Sequence, residues 1–126
     1  MGHPATGIVG RRAEQLAYGY LIKQGLSPVA RNFRCRGGEI DLIMLDGDCL
    51  TFIEVRFRAT TAFTPASHTV DRHKQRKIIR TAAYFITRNR RYATFVMRFD
   101  VVAIEGSEAM TIEWIADAFR PNDSTF

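Results

Sequence analysis

The sequence is poor in cysteine and in long apolar runs, and each shortage narrows what the protein can be. Its two cysteines, Cys35 and Cys49, have neither metal-ligand nor redox-motif spacing. They read most simply as reduced core or strand residues, with a disulfide as the alternative, and no cysteine-built zinc site is indicated. No stretch approaches the roughly 18 consecutive apolar residues of a membrane-spanning helix. The opening MGHPATGIVGRRAEQ has no apolar stretch of the signal-peptide kind, so the expected compartment is the cytoplasm, with no membrane partner. There is no internal repeat, low-complexity tract or interdomain linker. A chain of 126 residues, 46% hydrophobic, suits one compact domain, expected over 1–119, with 120–126 as a frayed tail.

Acidic residues are scarce in one place. Residues 71–91 hold eight basic residues and one acid, a local charge of +7, whereas the whole chain carries +5. One segment therefore supplies more than the entire excess. Such a concentration suits a polyanionic partner, and a solvated basic helix would show it equally.

Apolar periodicity outlines the elements. Val9, Ala13, Leu16, Ala17, Tyr20 and Leu21 form a stripe that predicts a helix over 6–24, ended by Gly25. Strands are predicted over 29–36, 39–45 and 49–57, the last two joined by the turn signal DGD. Residues 58–70 read as a loop. A second helix is predicted over 72–89, with Ile78, Ile79, Ala82, Ala83 and Ile86 on its buried side. Strands over 95–104 and 111–116 follow. The order is α-β-β-β-α-β-β.

The central strands carry charge where core residues are expected. Glu39 and Asp41 interrupt one strand and Glu54 the next, with Arg56 two places on. Side chains alternate along a strand, so Glu39 and Asp41 are expected on one face and Ile40 and Leu42 on the other. In the next strand Phe52, Glu54, Arg56 and Arg58 share a face. The hairpin makes Asp41 and Glu54 neighbours. Two carboxylates about 4 Å apart at an effective dielectric near 20 repel by roughly 4 kcal/mol. Arg56 can neutralise them as a structural salt-bridge cluster, or a hard divalent cation can sit between them. On spacing alone the salt bridge is the simpler account.

Five ordered segments carry a resemblance: RAEQLAYGYLIKQG, RNFRCRGGEIDLIMLDGD, FIEVRFR, VDRHKQRKIIRTAAYF and RFDVVAI. Together the chain resembles the YraN-like uncharacterised bacterial family, grouped with the restriction-endonuclease-like PD-(D/E)XK nucleases and similar to archaeal Holliday-junction resolvases. The resemblance implies an α/β fold with an αβββαβ core, a mixed sheet flanked by helices. It implies Asp41 and Glu54 as ligands of Mg²⁺ or Mn²⁺, with the carbonyl of Val55 as a further oxygen. It also implies a first-helix glutamate at Glu14, which helical geometry places at the edge of the apolar stripe. Glu39 belongs to the same strand motif and ranks second.

One position departs from the superfamily. Arg56 stands where those nucleases have lysine, and an arginine stays protonated, so it can hold a phosphate but cannot act as general base. Lys74 or Lys77 on the second helix can supply the missing ammonium, although a lysine facing solvent is the ordinary reading. His73, Lys77, Arg80, Tyr84 and Arg88 recur on the helix face opposite the isoleucine–alanine stripe, as a surface for phosphates.

The remaining residues receive plain readings. Arg98 and Asp100 are expected to tie the sheet to a helix, and Trp114 to pack in the core or at an edge. His3, His68 and Ser67 show no partner spacing, and Gly37 and Gly38 form a turn before a strand. The expectation is a nucleic-acid-binding, metal-dependent nuclease-like protein, selective for structure more than for sequence, with DNA favoured over RNA. The alternative is a binding module that keeps the fold without cleavage. A homodimer would suit an enzyme that cuts two strands.

Overall fold

The computed structural model describes residues 8–58, 70–106 and 110–121. Most of the expected 58–70 loop, His3, Ser67, His68 and residues 122–126 of the tail lie outside the described residues. Helix α1 (Ile8–Lys23) forms where Ala13, Ala17 and Leu21 recur every four residues, and all three are buried. It stops at Gly25, whose φ of 101° suits glycine, and the Leu26 N–H closes the last turn on the Leu21 carbonyl at 3.1 Å.

Strands β1 (Ser27–Cys35), β2 (Gly38–Asp46) and β3 (Cys49–Arg58) then run as an antiparallel meander. Gly47, at φ 65°, makes the tight β2–β3 turn that DGD predicted. Helix α2 (Arg72–Arg88) begins at Asp71, whose side chain accepts from the Lys74 N–H at 2.8 Å. A short 3₁₀ turn (Arg90–Tyr92) leads to β4 (Val96–Glu105), which pairs parallel to β3, and β5 (Thr111–Phe119) closes the edge antiparallel to β4. The sheet order is β1-β2-β3-β4-β5. This is an α/β fold with a mixed five-stranded sheet and two helices, consistent with a restriction-endonuclease-like αβββαβ core with β5 added. No helix among the described residues is long and apolar enough to cross a membrane.

The two helices cover opposite faces of the sheet. On one face Ile78, Ile79, Ala82 and Phe85 of α2 pack with Ile40, Ile43, Leu50 and Phe52. On the other, Ala13, Ala17 and Leu21 of α1 pack with Leu42, Met44, Ile53 and Val102. Strands β3 and β4 are buried on both faces, which explains their near-continuous apolar runs.

Four details differ from expectation. Thr81 and Phe85 are fully covered on α2, whereas Ala83 and Ile86 are only partly so, because the helix rolls its contact stripe toward the sheet aromatics. Ile40 and Leu42 do not share a face, since they belong to opposite cores. Two irregularities lie on the partner strand β1, a register shift between Pro28 and Ala30 and, opposite Asp41, Asn32 in the left-handed region at φ 52°. Strand β5 runs three residues past 116, through an irregularity at Asp117 with φ 57°. Lastly, Arg98 and Asp100 tie strands to one another and not to a helix. Arg98 bonds Asp100 and Asp46, and Asp100 also accepts from Trp114 Nε1 and the Asp117 N–H.

Candidate active site

The β2–β3 ladder runs from the turn pair Asp46↔Cys49 only as far as Leu42↔Ile53. Beyond it, β2 stays paired to β1 as far as Gly38, and β3 stays paired to β4 as far as Arg58. The sheet therefore forks, and Asp41 and Glu54 are the first residues past the fork. At that point Asp41 Oδ2 accepts from the Val55 N–H at 2.8 Å, so a side chain takes the place of a strand carbonyl. The fork opens into a cleft of about 710 Å³, walled by Ala13 and Glu14 of α1 and by Lys74, Lys77 and Ile78 of α2.

Both acids are held away from water, each only 9% exposed. Burial pushes the Asp41 carboxyl well above its usual range, and the neighbouring Glu54, Glu14 and Glu39 push it further, against the opposing Val55 N–H. Burial raises Glu54 as well. There the Lys74 ammonium opposes it, with Arg56 as a weaker positive neighbour. Lys74 Nζ lies 3.2 Å from Glu54 Oε2. Glu54 shares a strand face with Phe52, the face that α2 covers, which is why a lysine from α2 reaches it.

Asp41, Glu54, Val55, Arg56, Glu14, Glu39, Lys74 and Lys77 all line the one cleft. Glu39 sits at its rim, paired with Arg34 at 3.4 Å and 45% exposed. Lys74, ranked second from sequence, makes the direct ion pair that was assigned to Arg56. Among the described residues no group of three or more His, Cys, Asp or Glu side chains is arranged to hold a metal. Glu14 is near enough to act on Asp41 but does not complete such a group.

Residues 13–104 match the uncharacterised protein family UPF0102. The chain belongs to this family. A UPF0102 protein of Saccharophagus degradans is 49% identical over 114 residues, covering 90% of this chain and 94% of that one. Relatives from Stutzerimonas stutzeri and Methylobacillus flagellatus are 47% and 45% identical, each covering 88% of this chain and 93% and 96% of their own length. The UPF0102 match spans Glu14, Asp41, Glu54, Arg56 and Lys74, so the charged residues at the centre of the cleft lie inside the family's extent.

His73, Lys77, Arg80, Tyr84 and Arg88 are all exposed on α2, as their spacing predicted. Beside them lie Arg34 and Arg36, at the end of β1 and its turn, which line a second groove with His73, Lys77, Arg80 and Tyr84. Sequence reasoning missed these two arginines. RCR sets them together at the end of a strand, but their approach to α2 has no local signal.

Proposed function

We propose that this cleft hydrolyses phosphodiester bonds of nucleic acid with a bound divalent cation. One observation carries the reading: two buried carboxylates, Asp41 and Glu54, meet at a fork in the sheet beneath an open cleft. Two such acids repel and lose hydration there, and a cation offsets both costs. The donor chemistry fits Mg²⁺ or Mn²⁺, which bind through one or two carboxylates and keep several waters, so a cage of three acidic side chains is not needed. Asp41 meets Val55 through Oδ2 and Glu54 meets Lys74 through Oε2, so Oδ1 and Oε1 are the oxygens left for the ion. The Val55 carbonyl is the third candidate donor.

Such an ion, when bound, polarises a phosphate and lowers the pKa of a water. The chain's own residues divide the remaining work. Arg56 offers a fork of donors to phosphate oxygens, and it stays charged throughout. Lys74 opposes the protonation that burial favours at Glu54 and brings the ammonium that β3 lacks. Lys77 adds positive charge at the mouth, where charge develops on the phosphate.

The test is calorimetric titration of Mn²⁺ into wild type, Asp41→Ala and Glu54→Ala, paired with a cleavage assay on linear, nicked and four-way DNA. Heat and cleavage in wild type alone are expected. Identical heats in all three proteins remove the metal from the account.

A second reading, binding without hydrolysis, is favoured by Arg56 at the usual lysine position. Metal-independent DNA binding by wild type with no cleavage of any substrate selects it.

A further inference from the structure

The second groove is not separate from the acidic cleft. Both are lined by Arg34, Arg36 and Lys77, so they meet along the β1–β2 turn and the same side of α2. Among the described residues, none that lines this groove of about 700 Å³ is acidic. Arg34, Arg36, His73, Lys77 and Arg80 make it basic, and Tyr84 stands at its far end, 41% exposed.

Tyr84 is an unusual residue to leave in solvent on a charged helix. Its hydroxyl accepts from Arg88 Nη1 at 2.8 Å, and its ring lies 6.2 Å from that of Phe33, tilted by 35°. Phe33 and Arg88, whose guanidinium carbon lies 5.8 Å from the ring centroid, hold the ring in place, and the residue still keeps 41% of its surface in solvent. From Lys74 to Tyr84 the helix advances about 15 Å. The line runs from the acidic site, past cations, to an aromatic platform.

We infer that this groove binds a single-stranded segment of nucleic acid, with phosphates on Arg34, Arg36, Lys77 and Arg80 and a base stacked on Tyr84. A duplex keeps its base faces inside its own stack, so an aromatic platform gains nothing from it. A single strand offers both a phosphate line and open π-faces, the combination that single-strand binders exploit. The inference rests on the nucleic-acid reading above and adds the strandedness of the ligand and its path into the cleft. It does not depend on hydrolysis.

The test is fluorescence anisotropy in EDTA, which removes metal and cleavage. The probes are a labelled oligothymidylate of about 15 nucleotides, inside the roughly 4–16 nucleotide range of single-strand sites, and a duplex of equal length. Wild type is expected to bind the oligothymidylate more tightly. Tyr84→Leu, which keeps apolar bulk beside Phe33, is expected to weaken that binding by about five-fold or more and leave the duplex unchanged. Tyr84→Phe keeps the ring and is expected to match wild type. Lys77→Ala with Arg80→Ala is expected to lower the salt slope by about 0.7 per lost contact. A groove that merely attracts polyanions would hold the duplex as tightly as the single strand, and that outcome overturns the inference. So does wild-type affinity for oligothymidylate in Tyr84→Leu. If cleavage assays fail while the single-strand preference and its loss in Tyr84→Leu hold, the groove stands and only the hydrolytic reading falls.

Discussion

Lys74 Nζ, on α2, lies 3.2 Å from Glu54 Oε2, on β3, so an ammonium from the crossover helix reaches this buried acid. The pair joins a lysine side chain that is 48% exposed to a glutamate side chain that is 11% exposed. Its direct contribution to stability is small, because solvent screens the lysine. Its effect on the charge of Glu54 is larger, since burial drives that carboxyl toward protonation and Lys74 opposes it.

Removing Lys74 therefore shifts a pH profile more than it shifts stability. In Lys74→Ala the Glu54 pKa climbs further, and a proton competes with Mn²⁺ up to higher pH. The midpoint of Mn²⁺ binding against pH, read by calorimetry, is expected to move upward, with Lys74→Arg restoring most of it. Cleavage near neutral pH is expected to fall by about ten-fold or more. An unchanged midpoint would show that the ion pair has no part in charging the site.

Asp41 gives a prediction of opposite character, in which a site residue costs stability. Folding raises its pKa, so the native carboxyl holds its proton more tightly than the unfolded chain does. The stability this provides is fully present below the ordinary carboxylate pKa and is lost as pH rises through the folded value. Asp41→Asn can still accept from Val55 and carries no charge. It is expected to melt several degrees above wild type at pH 7.5 in EDTA, on the order of 1 kcal/mol, while losing metal binding. The difference is expected to shrink toward acid pH in a series of thermal melts. A variant less stable than wild type at pH 7.5 contradicts the electrostatic account.

Which features were legible follows from how local each one is. The α1 stripe, the stop at Gly25 and the DGD turn are written in neighbouring residues, and they form as read. Asp41 and Glu54 were legible because a hairpin fixes their strands side by side. Lys74 was legible only as a second-rank candidate beside Lys77, because its pairing with Glu54 depends on how α2 crosses the fork, which no local pattern states. Arg34 and Arg36 were not legible, since they meet α2 only through long-range packing. The separation of Ile40 from Leu42 was not legible, because strict alternation gives no sign of the irregularities on the partner strand β1.

That packing can be tested at Gly38, where the β1–β2 turn approaches α2. A Cβ built there would lie 3.0 Å from Thr81 Oγ1, and the backbone φ of 156° disfavours other residues. Thr81 cannot easily retreat, since it is fully buried and its hydroxyl donates to the Lys77 carbonyl at 2.8 Å. Gly38→Ala is expected to lose roughly 1–3 kcal/mol in urea unfolding. Gly37→Ala is the control, for a Cβ at Gly37 meets nothing within 4 Å and is expected to change little. Equal stability in the two variants would mean that the turn is not pressed against the helix.

Asp100, on β4 opposite Ile53, offers the largest expected effect. It has no exposed surface, and its two oxygens accept from Arg98 Nε and Nη2, Trp114 Nε1 and the Asp117 N–H, each at 2.9 Å. These bonds, with Arg98 to Asp46, pin β2, β4 and β5 together and raise the pKa of the Arg98 guanidinium further still. Asp100→Ala strands a partly buried cation and two further donors at once. Breaking one side of such a pair costs about 3–5 kcal/mol, so the variant is expected to melt at least ten degrees lower. Trp114 is the sole tryptophan, so its emission reports the loss of the indole hydrogen bond directly. Asp100→Asn keeps an acceptor and removes the charge, and an intermediate loss is expected. If Asp100→Ala melted with wild type and its emission were unchanged, the cluster would be an ornament of the sheet's end, and the rigidity of the fork would have to come from the cores alone.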